Sequence, residues 1–318
     1  MLEARFLEGY RLFYVFHQLK ITYEKPMKKD FTAIYCFVDD FIKSLANNFS
    51  AINSRNSKPG ISNYLSISEV LTILIGYYDS CCDCFKHYYQ QVIMRYHTTD
   101  FKLVSYANFT KLIGRNMPYL VLLLHHLLTK CTGLSFVDAT SIAVCKNYRI
   151  NSHKVFKGIA ARSKTTKGWF FGLKLHLIID PEGNLVKVSF SNGNKDDRKG
   201  LRSMISGIYG KVFGDRGYIS TELFEDLYAK GIQLVTRVKK NMKNMLMPIT
   251  DKVMLLKRAL IETVIGKLKF LEKLEHSRHR SVTNAFSHML SCLINYQLQE
   301  NKPSIKSLLP IEDLDMQN

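Results

Sequence analysis

Apolar positions along the 318-residue chain change their period near residue 130. From Phe31 to Lys130 they recur mostly at helical spacing, whereas beyond Cys131-Thr132-Gly133 short apolar runs alternate with polar positions and turn residues. In the first part, Ser66-Ile67-Ser68-Glu69 opens the apolar run Val70, Leu71, Ile73, Leu74 and Ile75. The Ser66–Glu69 spacing predicts a capping box, in which each side chain satisfies a free backbone N–H at the helix start. Asn53 to Gly60 is polar and closes on Pro59-Gly60, which predicts a loop. Ser105 caps a predicted helix from Tyr106 to Gly114, with Phe109, Leu112 and Ile113 on its apolar face and Lys111 and Arg115 beside it. Two short helices and a basic element fit a helix-turn-helix, and they fit other helical bundles equally well.

The second part reads as strands and helices in alternation. Leu134 to Val137 predicts a strand ending at Asp138, and a basic stretch from Lys146 to Lys167 follows. From Leu173 onward the pattern alternates, Asp180 to Asn184 has turn composition, and Leu185 to Phe190 returns as the second arm of a hairpin. Asp196-Asp197-Arg198 opens a helix predicted to reach Tyr209; its acids suit the positive end of the helix dipole. A strand from Lys211 ends at Asp215, a helix spans Thr221 to Lys230, a fifth strand spans Ile232 to Val238, and a helix covers Leu255 to Leu274. Such an order predicts a mixed five-stranded α/β sheet flanked by helices, preceded by an all-helical N-terminal domain. The expected organisation is an extension (1–26), a helical, DNA-binding domain (27–130), a catalytic domain (131–300) and a tail (301–318).

Charge then narrows the partner. Lys and Arg number 45 against 27 Asp and Glu, a net +18 with pI near 9.5, in a chain whose 46% hydrophobic content is that of a packed protein. Such an excess attracts polyanions, and neutralising phosphates releases counterions, so nucleic acid is the first partner expected. A basic surface kept for solubility is the competing reading. The seven Cys have no regular spacing, which argues against a secreted disulfide framework. Cys81, Cys82 and Cys84 with His87 lack the paired spacing of a zinc site and read as small buried thiols. No apolar run is long enough to span a membrane and no signal-peptide layout opens the chain, so a cytoplasmic protein is expected.

Two predicted strands end in an acid, Asp138 and Asp215. If they are parallel neighbours, both carboxylates emerge at the same edge of the sheet, where open α/β sheets bind ligands. Carboxylates held close repel one another unless a cation lies between them, and oxygen ligands beside a nucleic acid point to Mg²⁺ or Mn²⁺. Phosphoryl transfer uses two such ions, commonly completed by a third carboxylate, which Glu262 on the last predicted helix supplies. Arg258 and Lys269 stand four and seven positions from Glu262 and share its helix face; a solvated face with an ion pair gives the same spacing. Asp196 and Asp197 also follow a strand, but they read first as helix caps. Lys174 and His176 share one strand face that either looks onto the site or holds a structural His. Lys154 and Lys157 lie in the loop after Asp138, either as a backbone clamp or as solvated charges. Arg216, Arg278 and Arg280 extend the basic candidates, and Trp169, an indole able to stack on a base, reads first as a core residue. No nucleophile-elbow motif and no P-loop occur.

The same element order is that of the ribonuclease H-like fold, in which the first strand and the strand after the first helix lie side by side. Phe136-Val137-Asp138-Ala139-Thr140, Gly214-Asp215-Arg216-Gly217-Tyr218 and Arg258-Ala259-Leu260-Ile261-Glu262-Thr263 resemble the acid motifs of DDE-type bacterial insertion-sequence transposases, nearest their nine-eighty-two branch. His153 to Gly158, Gly168 to Leu177, Gly193 to Arg198 and Glu275 to Arg280 match as well, so the resemblance runs from about Phe31 to about Tyr296. It implies a ribonuclease H-like catalytic domain with Asp138, Asp215 and Glu262 as catalytic and metal residues, two Mg²⁺ ions, and double-stranded DNA as partner, both terminal inverted repeats and target. It also implies a homodimer or larger assembly on DNA. Arg258, Glu262 and Lys269 fall at the last three positions of the family's Tyr-Arg-Glu-Lys signature, while Leu255 stands at its Tyr position. Two rivals remain: a nuclease of the same fold without strand transfer, and a non-catalytic DNA-binding remnant of such an enzyme.

Overall fold

The computed structural model describes residues 31–48, 65–80, 82–166, 168–238, 247–270, 273–276 and 279–305. The expected N-terminal extension, the Asn53–Gly60 loop, Cys81, Lys167, Arg278 and the tail beyond residue 305 lie outside the described residues. The chain divides into two compact units, 1–126 and 127–318.

The first unit is helical. Helix α1 (Phe31–Asn48) buries Ile34, Phe37, Val38, Phe41 and Leu45, a stripe at helical spacing. It packs against α2 (Ile67–Gly76), where Ser68 Oγ donates to Asp39 Oδ1 at 2.8 Å. The capping box at the start of α2 is formed as expected, with Ser66 accepting from Glu69 N and Glu69 from Ser66 N. A short α3 (Phe85–His87) runs through a π-helical stretch (Tyr88–Ile93) into α4 (Met94–Tyr96). Tyr88, Tyr89 and Phe109 are buried there, with the Tyr89 and Phe109 rings 4.4 Å apart. Helix α5 (Tyr106–Leu127) is longer than its apolar pattern predicts. It continues through Pro118 to bury Leu120, Leu123, Leu124 and Leu127. The thiols differ from expectation too: Cys84 is exposed and Cys82 partly so. No helix among the described residues is long and apolar enough to cross a membrane.

Among the described residues of the second unit the sheet has six strands rather than five: β1 (Leu134–Cys145), β2 (Ala161–Thr165), β3 (Gly168–Ile179), β4 (Leu185–Asn192), β5 (Gly210–Gly214) and β6 (Ile232–Thr236). The order is β2-β3-β1-β5-β6, with β4 also paired to β3. β3 is antiparallel to β1, β2 and β4, while β1, β5 and β6 are parallel. The expected adjacency of the first strand and the strand after the first helix is therefore present. The β3–β4 turn is held by Asp180, whose carboxylate accepts from the N–H groups of Glu182 and Asn184, both at 2.9 Å. Gly183 takes φ +74 in this turn, and a Cβ there would stand 2.1 Å from the Pro303 carbonyl oxygen, so only glycine fits.

Strand alternation divides the core between the two faces of the sheet. Val137, Ile178, Val186, Val212 and Leu234 form one cluster with Leu201, Leu223 and Leu227. The last three come from α6 (Asp197–Arg202) and α7 (Thr221–Tyr228). α6 stops at Arg202, well short of Tyr209, because Ser203 Oγ bonds the Gly200 carbonyl and the chain turns. The predicted single helix over 255–274 is two, α8 (Ile249–Lys257) and α9 (Ala259–Phe270), with Arg258 at the break. α9 meets β1 and buries Leu260, Ile261, Val264 and Leu268, none of which joins the first cluster, so it covers the other face. Helix α10 (Val282–Leu298) has no counterpart in the sequence reading. It is buried nearly all round from Met289 to Leu298, and its polar groups are matched inside the protein. Gln297 accepts from Leu185 N at 2.9 Å and donates to the Leu127 carbonyl at 3.0 Å, and Tyr296 donates to the Gly183 carbonyl at 2.7 Å.

Candidate active site

Strand register brings the first two acids together. β1 and β5 run parallel with Phe136 opposite Phe213, and their rings lie 5.7 Å apart. Asp138 and Asp215 each lie two residues further on, so both reach the same edge of the sheet. Asp138 is not the end of its strand, however. β1 continues to Cys145 because β3 keeps pairing with it, and Asp138 sits opposite Leu177. Asp215 leaves β5 and opens a 3₁₀ turn (Arg216–Tyr218), its carboxylate accepting from Arg216 N at 2.7 Å. The Asp138 carboxylate accepts from Ala139 N at 2.8 Å.

Glu262 comes from the first turn of α9 and Arg258 from the break before it. Arg258 Nη2 donates to the Glu262 carboxylate, and Arg258 Nη1 lies 3.7 Å from Asp138 Oδ2. One guanidinium thus joins the sheet acid to the helix acid. Burial pushes the Asp138 carboxyl up to about 6; the Ala139 N–H and Arg258 oppose the rise, and the charges of Glu262 and Asp215 add to it. An open cleft of about 510 Å³ adjoins the acids, lined by Asp215, Arg216, Arg237, Leu255, Arg258 and Glu262 among others.

The donor set suits a hard divalent cation: three carboxylates, oxygen only, beside an open cleft. Among the described residues, no three His, Cys, Asp or Glu side chains are close enough together to hold a metal ion as they stand. Arg258 is the reason visible in the geometry, since it occupies Glu262 and compensates Asp138. A cation held by all three acids requires Glu262 to leave Arg258.

The remaining predicted residues fall into distinct places. Arg216 is exposed and lines the cleft. Lys269, two turns beyond Glu262, pairs with Glu275 at 3.3 Å, whose other oxygen accepts from Ala143 N. Lys174 bonds Asp197 at 2.8 Å and the Lys195 carbonyl at 2.9 Å. His176 pairs with Ala139 across the strands, so it points to the face opposite Asp138. There it is 1% exposed, bonded to Ser191 Oγ at 2.8 Å and packed under Gly200, rather than lining the cleft. Asp196 caps α6 as expected and is chelated by Arg198, while Asp197 sits in its first turn. Lys154 and Lys157 are exposed on the loop after β1, which buries Phe156 between them. Arg280 is exposed. Trp169, expected in the core, is half exposed.

Two residues near the acids escape the sequence reading, one lining the cleft and one buried beneath it. Arg237 follows β6, the third parallel strand, and lines the cleft; the sequence reading runs this strand on to Val238, which hides Arg237 within it. Tyr218 is buried against Gly214 with its hydroxyl unpartnered, and its phenol is pushed up by burial and by Asp138, Asp197 and Asp215.

Comparison with known proteins adds to this geometry. No curated protein matches the chain. Among solved structures, the cryo-EM structure of a piggyBac transposase synaptic complex with hairpin DNA aligns at TM-score 0.44 and 9% identity. That alignment covers 86% of this chain and 73% of that one, too weak a likeness to argue from. Residues 128–282 match the family described as "Transposase DDE domain", and this segment, which holds Asp138, Asp215 and Glu262, supports a DDE transposase.

Proposed function

We propose that this chain is an insertion-sequence transposase that cuts DNA at the element's ends and joins the freed ends to a target. One observation carries the reading: register sets Asp138 and Asp215 side by side at the sheet edge, and Arg258 ties Asp138 to Glu262, all within the matched segment. Asp138, Asp215 and Glu262 would hold two Mg²⁺ ions. Such ions activate water or a 3′-hydroxyl and steady the departing oxygen of an in-line displacement. Arg216, Arg237 and Arg258 give the cleft the positive wall that a phosphodiester backbone needs. Lys154 and Lys157 extend that charge on the loop after β1. Two DNA ends must be brought together for joining, so a dimer or larger assembly forms on DNA. The site of action is the bacterial cytoplasm, at the nucleoid.

The test is a cleavage and joining assay on a DNA fragment that carries the gene's own flanking ends, with Mg²⁺ and with EDTA. Wild type is expected to give nicked and joined molecules with Mg²⁺ only. Glu262→Gln is expected to bind the DNA and yield neither product. Cleavage without joined molecules would make the chain a nuclease instead. Binding without cleavage in wild type would make it a non-catalytic DNA-binding remnant.

A further inference from the structure

Between the first acid and Asp180 the chain is one-sided in charge: from Ala139 to Ile179 it has no Asp or Glu and carries Lys or Arg at eight positions. Much of this stretch builds the β2–β3 hairpin, whose pairing sets Lys164 opposite Trp169 and Arg162 opposite Phe171. Residues directly opposite one another share a face, so Arg162, Lys164 and Trp169 form one surface. All three are exposed, and the indole is 50% exposed. The Arg162 guanidinium lies over the indole at 4.8 Å from its centroid, and the Lys164 ammonium at 6.0 Å. The loop before the hairpin is fastened to it by the buried Phe156 and by His153, whose ring meets both Phe156 and Phe171, at 5.8 and 6.0 Å. Lys154 and Lys157 stand out from that anchor into solvent.

Alternation along β3 puts Trp169 on the same face as Leu177, the cross-strand partner of Asp138. The separation is eight residues, about 26 Å at ~3.3 Å per residue. The platform and the acids therefore belong to one face of the sheet, a few nucleotides apart along an extended strand.

We propose that Trp169 is a stacking platform for an unpaired base of DNA, with Arg162 and Lys164 holding the flanking phosphates. The acid-free charge selects a polyanion. Within that class the indole selects an unpaired base, because bases inside a duplex are already stacked and offer only phosphates and groove edges to such a surface. A strand whose end is opened during cleavage presents such a base. The proposal rests on the DNA-processing reading above and gives it a second contact, remote from the acids.

The experiment uses the full chain and the fact that Trp169 is its only tryptophan. A fluorescein-labelled oligothymidylate and a blunt duplex of equal length are titrated by anisotropy, and the tryptophan emission is followed with unlabelled strands. Quenching that saturates with the single strand is expected. Trp169→Ala is expected to weaken single-strand binding about 5- to 150-fold, to change duplex binding little, and Trp169→Phe to retain most of the affinity. Saturated single-strand binding with unchanged emission, equal affinity in Trp169→Ala, or an equal loss for duplex and single strand would each overturn the proposal and leave the transposase reading standing. Failure of wild type to bind either DNA would overturn both.

Discussion

Among the described residues, Arg258 is the only cation set against both a sheet acid and the helix acid, and its replacement gives an outcome opposite to a simple loss. In Arg258→Gln the guanidinium that bonds Glu262 and lies 3.7 Å from Asp138 is gone. A unit charge about 4 Å from another is worth about 1 kcal/mol in water and about 4 kcal/mol near a protein surface. Here the Glu262 side chain is 56% exposed and that of Asp138 24%, so the lower part of that range applies. Removing the charge leaves the carboxylates uncompensated by about 1–2 kcal/mol, and a divalent cation that takes its place recovers that energy. Arg258→Gln is therefore expected to bind Mn²⁺ about 5- to 30-fold tighter than wild type in the absence of DNA, while cleavage falls because the phosphate contact is lost. Isothermal titration with Mn²⁺, beside an unfolding curve to show an intact fold, measures this. Equal or weaker Mn²⁺ binding in a folded Arg258→Gln would refute the idea that Arg258 stands in for a cation.

Other outcomes follow from packing and from buried charge. Gly200→Ala puts a Cβ 2.4 Å from the His176 ring and is expected to cost about 1–3 kcal/mol; a chemical-denaturation midpoint unchanged from wild type would contradict it. Burial depresses His176 and His279 to about 4 and His288 to about 3 from the ordinary 6.5. The unfolded chain takes up these protons first, so the stability they contribute is complete above pH 6.5 and is lost as pH falls towards 4 and below. Urea midpoints at a series of pH values should fall through that window, and a flat profile there would refute it. Glu262→Gln should abolish cleavage with the binding curve preserved, read in the assay described above.

How much of this was legible in the sequence depends on the range of the interaction responsible. The capping box at Ser66 and the Asp180 turn are local and were read correctly. So were the strands that deliver Asp138 and Asp215, because an apolar run ending in Gly-Asp or Val-Asp is visible in a few residues. β1 was cut short at Asp138 since its polar second half, from Ala139, becomes strand only through pairing with β3. β2 was missed for the same reason: Ala161-Arg162-Ser163-Lys164-Thr165 has loop composition, and its partner supplies the order. α10 was missed because burial on nearly every side leaves no amphipathic period, with Ser287, Ser291, Asn295 and Gln297 inside. At the site, the contact of Arg258 with Asp138 spans most of the unit and leaves no trace in spacing, and the half-exposed Trp169 contradicts what indole hydrophobicity alone suggests.

The mid-strand position of Asp138 has a mechanical consequence. Its backbone is clamped between β3 and the end of the β5 pairing, so this carboxylate moves only by rotating its own side chain. Glu262 rides on a helix that begins just after a break and is tethered at its working end by one ion pair. If the three carboxylates hold a cation as proposed, assembling their cage would be a lopsided motion, with the sheet as a stationary anvil and the α8–α9 segment as the jaw. Its gate would be the release of a single guanidinium, Arg258, which an incoming phosphate is chemically equipped to capture.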